Sequence, residues 1–455
     1  MTHQYQLFGQ NIVIDGASGA IHLVDDLAYD AIKLLQSNTD SAALDALGAM
    51  HESVPQGELA QTISDLRALE AAGQLFSSSG SHLALAQSAK LRGEVKALCL
   101  HVAHTCNLTC NYCFAREGQY QGARALMSYG VGKKALDFLI AASGARYYLE
   151  VDFFGGEPLM NWDVVKQLVA YGRSLEAAHN KRFRFTLTTN GMLLNDEIIA
   201  FANEEMENVV LSLDGRREVH DHFRKTAKGH GSYDIVVPKF QALVQARQKG
   251  SYYIRGTFTA RNLDFVTDIL HMAELGFKEL SLEPVVADPS DPVALNPATL
   301  PEIFAEYERL ALEMAARGRK GDVFSFYHYN LNLEHGPCAH KRLVGCGSGT
   351  EYLAVTPEGD LYPCHQFVGS DAYKVGTLDH GITAHDTVRE IASCNVFNRP
   401  ACADCWAKLF CGGGCAANAY HMTGSIQGVD ELGCAFFKKR LECAIWLKTQ
   451  ETLSF

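Results

Sequence analysis

The sequence predicts an α/β chain organised around a (β/α)6 partial barrel, on three observations. From about residue 95, apolar strand-like runs alternate with amphipathic helical stretches, an order that implies a parallel sheet. Nearly all of those runs end in a polar or glycine-rich turn, as expected where functional side chains gather at the C-terminal rim of a barrel. The flanks differ from this middle, with an acidic leading segment and a cysteine-rich tail. Four parts are expected: a leading domain over 1–85, a barrel over 95–300, a helical linker over 301–337 and a C-terminal domain over 338–455.

Residues 1–85 open with the runs QYQLF, NIVID and AIHLV, in which Ile12, Ile14, Ile21 and Leu23 alternate as half-buried strands require. Three helical stretches follow, then a hairpin around QLFSSSGSHLAL. In DDLAYDAIKLLQ, Leu27, Ile32, Leu34 and Leu35 fall toward one face behind acidic N-terminal residues. This order predicts a small winged-helix-like unit. Ten acids against two bases, Lys33 and Arg67, argue against a duplex-binding face, because neutralising phosphates needs clustered Lys and Arg. A peptide that adds a strand to an exposed sheet edge suits the unit better.

The barrel strands are ALCLHVA (97–103), YLEVDFF (148–154), FRFTLTT (183–189), NVVLSLD (208–214), YYIRGTF (252–258) and KELSLEP (278–284). Helical stretches at about 131–142, 163–178, 195–204, 233–248 and 264–275 supply the crossovers. The first strand leads into a loop carrying Cys106, Cys110 and Cys113. The second ends in Gly155-Gly156-Glu157-Pro158 and the third in Thr189-Asn190-Gly191. The fourth ends in Ser212-Leu213-Asp214-Gly215 and the sixth in Glu283-Pro284. One such turn is common, but five on one rim mark a single site. Glu157 stands out, since a lone acid in a glycine turn has little structural reason to be there.

The chain holds 14 cysteines. Three thiolates in one short loop are one too few to close a cubane iron–sulfur cluster, so one iron would stay open to a ligand. Residues 338–434 add Cys338, Cys346, Cys364, Cys394, Cys402, Cys405, Cys411, Cys415 and Cys434. Zinc-site spacings overlap this pattern. Cys99, Cys394 and Cys443 fall outside it and read as packed thiols. So many cysteines, behind a start with no basic and apolar leader, argue for a reducing, cytoplasmic setting and for metal ligation over disulfides. No apolar run is long enough to span a bilayer, and a net charge of −12 argues against nucleic acid as a partner.

The three-cysteine loop together with GGEP resembles the signature of radical S-adenosylmethionine (SAM) enzymes. That resemblance implies a [4Fe–4S] cluster on Cys106, Cys110 and Cys113, with an open iron that holds the amino and carboxylate groups of SAM. It also implies that Gly155, Gly156, Glu157 and Pro158 meet the methionyl amino group, and that Asn190 joins the SAM site. Ser212 would contact SAM through its hydroxyl and Arg224 through its charge. Tyr112 would lie near the adenine, and Leu282 would line the pocket. The tail, with Cys346 ahead of Gly359-x4-Cys364 and then Cys402-x2-Cys405-x5-Cys411-x3-Cys415 and Cys434, resembles the SPASM extension of such enzymes. By that resemblance Cys346, Cys364 and Cys415 hold a first auxiliary [4Fe–4S] cluster. Cys338 is its candidate fourth ligand, at a longer gap than the pattern leads one to expect. Cys402, Cys405, Cys411 and Cys434 hold a second, making three clusters in all.

Over its full length, including FGQNIVIDGASGAIHLVDDLAYD and HGPCAHKRLVGCGSGTEYLAVTPEGDLYPCHQFVG, the chain resembles maturases of SCIFF (six-cysteine) peptides. The implied activity is a thioether between a cysteine sulfur and a nearby residue, Thr by preference, of a Cys-rich precursor peptide. The leader of that peptide would dock on the first domain, and a flavodoxin or ferredoxin would supply single electrons. SAM cleavage would give a 5′-deoxyadenosyl radical that takes hydrogen from the acceptor residue, in a barrel that keeps water out. A sulfatase-activating formylglycine maturase shares barrel and tail, but it should carry Asp after the cysteine matched by Cys364. Here that residue is His365. A non-catalytic iron–sulfur electron carrier would need neither GGEP nor Ser212 and Arg224.

Overall fold

The computed structural model describes residues 1–78, 80, 94–115, 118–120, 122–333 and 345–452. Cys338 and most of the hairpin expected around residues 74–85 lie outside the described residues. Strands β1 (Thr2–Leu7), β2 (Gln10–Asp15) and β3 (Ile21–Val24) form an antiparallel sheet in that order. Helices α1 (Asp26–Leu35), α2 (Asp40–Met50) and α3 (Gln56–Ala71) follow. Asp25 caps α1 by accepting from the Ala28 N–H, and Ala31, Ile32 and Leu35 form its buried stripe. They meet Val13, Ala43, Leu47, Leu59, Ile63 and Leu66 in a core of their own. β2 is central, so β3 is left as a sheet edge with no strand beside it among the described residues.

The six barrel strands are β4 (Ala97–His104), β6 (Tyr148–Gly155), β7 (Arg182–Thr189), β8 (Met206–Ser212), β9 (Ser251–Phe258) and β10 (Glu279–Pro284). A short β5 (Ala125–Leu126) pairs antiparallel with the end of β4. The six pair parallel in chain order. Helices α4 (Tyr129–Ala142), α5 (Trp162–His179) and α6 (Asp196–Glu205) cross between them, as do α8 (Tyr233–Ala246) and α9 (Phe265–Glu274), while α7 (Arg217–Phe223) is an extra turn after β8. Alternation decides the faces. Leu98, Leu100 and Val102 of β4, with Leu149, Val151 and Phe153 of β6, are fully buried in the main core.

The sheet runs on past both ends of the expected barrel. In 301–337, expected as a helical linker, α10 (Leu300–Gly318) leads to β11 (Ser325–Phe326), which pairs parallel with β10. From the tail, β12 (Tyr352–Val355) pairs parallel with β4, and β13 (Asp360–Tyr362), β14 (Gly376–Thr377) and β15 (Gly381–Ile382) extend it antiparallel. The physical reason is that β4 would otherwise be a buried edge with unpaired backbone groups. The remaining helices are α11 (His385–Ser393), α12 (Lys408–Cys411), α13 (Ala416–Thr423) and α14 (Glu431–Thr452). α14 lies along α10 and reaches β1.

Candidate active site

The loop after β4 is held from two sides. Toward β6, the Gly156 N–H donates to Ala103 O at 2.7 Å and the Glu157 N–H to Thr105 O at 2.9 Å. The chains approach so closely that a Cβ on Gly155, at φ +125°, would stand 2.3 Å from Ala103 O, and one on Gly156 would stand 2.2 Å from Thr105 O. Both glycines are therefore required by backbone packing, whatever they do for a ligand. On the other side, the Thr109 N–H donates to Lys225 O at 2.7 Å, next to Arg224. Cys106, Cys110 and Cys113 are each half-buried on this loop.

Glu157 is fully buried and accepts three hydrogen bonds. Thr189 Oγ1 donates at 2.8 Å, the Asn190 N–H at 2.8 Å and the Leu159 N–H at 3.1 Å. It thus fastens the second strand end to the third. Burial pushes its carboxyl up to about 7, against those donors. Asn190 passes the link on, since its Nδ2 donates to Asn107 Oδ1 at 2.8 Å and toward Cys106 Sγ at 3.6 Å.

A second fastening centres on Asp214, which sequence reasoning saw only as part of a strand end. It is fully buried. Tyr112 donates to its Oδ2 at 2.6 Å, Arg224 grips both its oxygens at 2.9 and 3.1 Å, and the Thr257 N–H donates to Oδ1 at 3.0 Å. Arg224, expected to pair with charge on SAM, is held by this carboxylate, because an unpaired buried acid would be costly. The Arg224 guanidinium also lies 5.6 Å from the Tyr112 ring centre. The available signal was a buried-strand acid at Asp214 followed ten residues later by Arg224. Ser212 ends β8 half-buried beside Arg255 of β9, while Leu282 is fully buried in the main core. Pro158 is buried at the start of a short 3-10 turn capped by Glu157.

Seven of the tail cysteines lie in two places. Cys402, Cys405, Cys411 and Cys434 line one cavity of about 510 Å³. Cys364 is buried, Cys346 and Cys415 are exposed, and the three lie within electrostatic reach of one another. Cys99, Cys394 and Cys443 are buried in hydrophobic clusters. Among the described residues, no three His, Cys, Asp or Glu side chains close on a single-ion position. The donor chemistry suits clusters, which take thiolate ligands from several cysteines. Burial pushes Cys106 up to about 11, Cys110 and Cys364 to about 12, and Cys434 to about 11. Such thiols ionise beside a strong positive charge, which an iron–sulfur cluster would supply.

Comparison with known proteins agrees with this geometry. Residues 100–263 match the family model of the radical SAM superfamily. A cysteine-type anaerobic sulfatase-maturating enzyme of Clostridium novyi is 25% identical over 332 residues, covering 69% of this chain and 85% of that protein. The solved structure of native anSMEcpe with bound AdoMet superposes with a TM-score of 0.66 at 20% identity, covering 78% of this chain and 99% of that one. Streptococcus suis SuiB bound to precursor peptide SuiA superposes with a TM-score of 0.54 at 15% identity, covering 95% of this chain and 98% of that one. No described helix is long and apolar enough to cross a membrane.

Two outcomes check the site. Asp214→Asn leaves Arg224 buried without its counter-charge, so stability should fall by about 3 kcal/mol and SAM affinity should fall with it, as read by chemical denaturation and equilibrium dialysis. Glu157 is an acid whose folded pKa is raised. Its contribution to stability therefore declines as pH rises from its ordinary value of 4.5 toward about 7, and is not regained above. Glu157→Gln should flatten that limb of the stability–pH curve, and a curve parallel to the parent's would contradict the assignment.

Proposed function

We propose that this chain, which carries a radical SAM domain over residues 100–263, installs a thioether crosslink in a ribosomally made, Cys-rich precursor peptide, as the SCIFF-peptide maturases it resembles do. The observation that carries the reading is the joining of three thiol sets and a leading unit with a free sheet edge in one chain. Bound at these sites, a [4Fe–4S] cluster with SAM would supply a hydrogen-abstracting radical, and auxiliary clusters would supply an acceptor for the electron released as the carbon–sulfur bond closes.

The chain's own residues do the positioning. Cys106, Cys110 and Cys113 present three thiolates and leave one coordination position open. Glu157 and Asn190 hold the strand ends around that loop, and Asp214 ties Tyr112 of the loop to Arg224. Ser212 presents a hydroxyl at the rim, next to Arg255. Cys346, Cys364 and Cys415 offer three more thiolates, so the peptide's cysteine would complete that set, ionised and held close to the reacting carbon. β3 would pair with the leader, and the acidic surface of its unit suits a segment carrying Lys or Arg. A sulfatase-maturating activity is the second reading, favoured by the C. novyi relative and disfavoured by His365, where that chemistry expects Asp.

Replacing Cys106, Cys110 and Cys113 together by Ala should remove about a third of the iron taken up on anaerobic reconstitution and abolish SAM cleavage. If the triple variant still releases 5′-deoxyadenosine, the assignment fails. Cys338→Ala separates the two models of the tail. A first auxiliary set that keeps its iron and changes its spectrum when peptide is added supports an open position. Loss of that iron before peptide arrives makes Cys338 a ligand and sinks the open-position model.

A further inference from the structure

The leading unit and the four-cysteine cavity lie far apart in sequence, yet the unit packs against Glu442 of the cavity lining and against Trp406 behind it. The His3 ring stacks on Trp406 with centroids 4.0 Å apart and planes 6° apart, and the Tyr5 ring centre lies 5.4 Å from it. Trp406 directly follows Cys405. At the same time His3 Nε2 lies 2.9 Å from Glu442 Oε1, and the Tyr5 hydroxyl donates to Glu442 O at 3.0 Å. Glu442 itself lines the cavity that holds Cys402, Cys405, Cys411 and Cys434.

The geometry of α14 makes this more than local packing. Cys434, Lys438, Glu442 and Trp446 recur every four residues, so they form one stripe along the helix. The near end of the stripe carries a thiol of the cavity. The far end carries the leading unit: Phe8, at the β1–β2 turn, meets Trp446 edge-on at 4.6 Å, and Gln10 Oε1 accepts from Gln450 Nε2 at 3.1 Å. There is no slack on the Trp406 side, where a Cβ on Gly16 would stand 2.2 Å from Trp406 O. Lys408, another lining residue, donates to Ala403 O at 2.9 Å, tying the short segment between Cys402 and Cys405 to the turn after it.

We infer that the leading unit backs one wall of the four-thiol site. Acting through Trp406 and Glu442, His3 is a positioning residue that keeps the Cys402–Cys405 segment and α14 closed around an iron–sulfur cluster and shielded from water. This rests on the reading of Cys402, Cys405, Cys411 and Cys434 as cluster ligands. Solvent access is one of the protein's levers on such a cluster. The unit proposed to dock the peptide thus touches Glu442, a lining residue of the four-thiol site.

The test uses the full chain, reconstituted without oxygen, with iron release to a chelator followed over time. His3→Ala removes both the stack and the contact with Glu442. His3→Phe keeps the stack alone, and Gly16→Ala wedges the unit away from Trp406. Met50→Ser, at the exposed end of α2, serves as the control. Expected is a several-fold faster release of one cluster's share of the iron in His3→Ala and Gly16→Ala, with partial rescue in His3→Phe and none of this in the control. Unchanged release in both variants overturns the inference, as does equal acceleration at every cluster, which would mean general loosening. A parent protein whose iron content is unaffected by Cys402→Ala and Cys411→Ala would instead refute the ligand reading itself.

Discussion

The candidate site depends on one close approach of backbone to backbone. Where β6 ends, the chain at Gly155 and Gly156 crosses the carbonyls of Ala103 and Thr105 at distances no side chain tolerates. That crossing brings the start of the cysteine loop and the start of the Glu157 turn into a single hydrogen-bonded unit. Thr189, Asn190 and Asn107 are then reached in sequence from Glu157, and Cys106 from Asn190. Three strand ends become one hydrogen-bonded surface. A loop that must present three thiolates in fixed positions needs such preorganisation, because a mobile loop would lose that advantage to entropy.

The same economy governs the charges. Asp214 and Glu157 are both fully buried, yet they are handled differently. Asp214 has a cation, a phenol and a backbone N–H around it. Glu157 has neutral donors only, and its carboxyl is pushed up toward neutrality. One acid is therefore a firm ionic anchor, and the other is a carboxyl whose charge responds to what binds beside it. Burial also raises the Cys106 and Cys110 thiols, which disfavours their charged form.

What was legible in the sequence followed from local signals. The six barrel strands and their crossover helices read clearly because each is long, apolar and periodic, and the structure places them within two residues of expectation. The cysteine loop and the GGEP turn read clearly because their spacing is contiguous. The missing parts are long-range. β12 is four residues long, and only the unpaired edge of β4, some 250 residues earlier, gives it a reason to exist. The role of Asp214 depends on a strand end and a helix end meeting, which residue spacing alone does not disclose. The backbone requirement for the glycines of GGEP is also long-range, since the nearest atoms to their absent side chains are the carbonyls of Ala103 and Thr105. Likewise the contact of β1 with α14 joins the two ends of the chain, and nothing local to either announces it.

The central claim is that this scaffold directs radical chemistry to a peptide cysteine and keeps its sulfur. The most direct measurement is the mass of a six-cysteine precursor peptide of the SCIFF type, after anaerobic incubation with the reconstituted protein, SAM and a one-electron reductant. The account expects a product lighter by two hydrogen atoms per crosslink, with every sulfur retained and one cysteine no longer open to alkylation. A peptide that loses sulfur and gains oxygen at that cysteine, as formylglycine formation requires, would contradict it, as would an unaltered peptide under conditions in which SAM is cleaved.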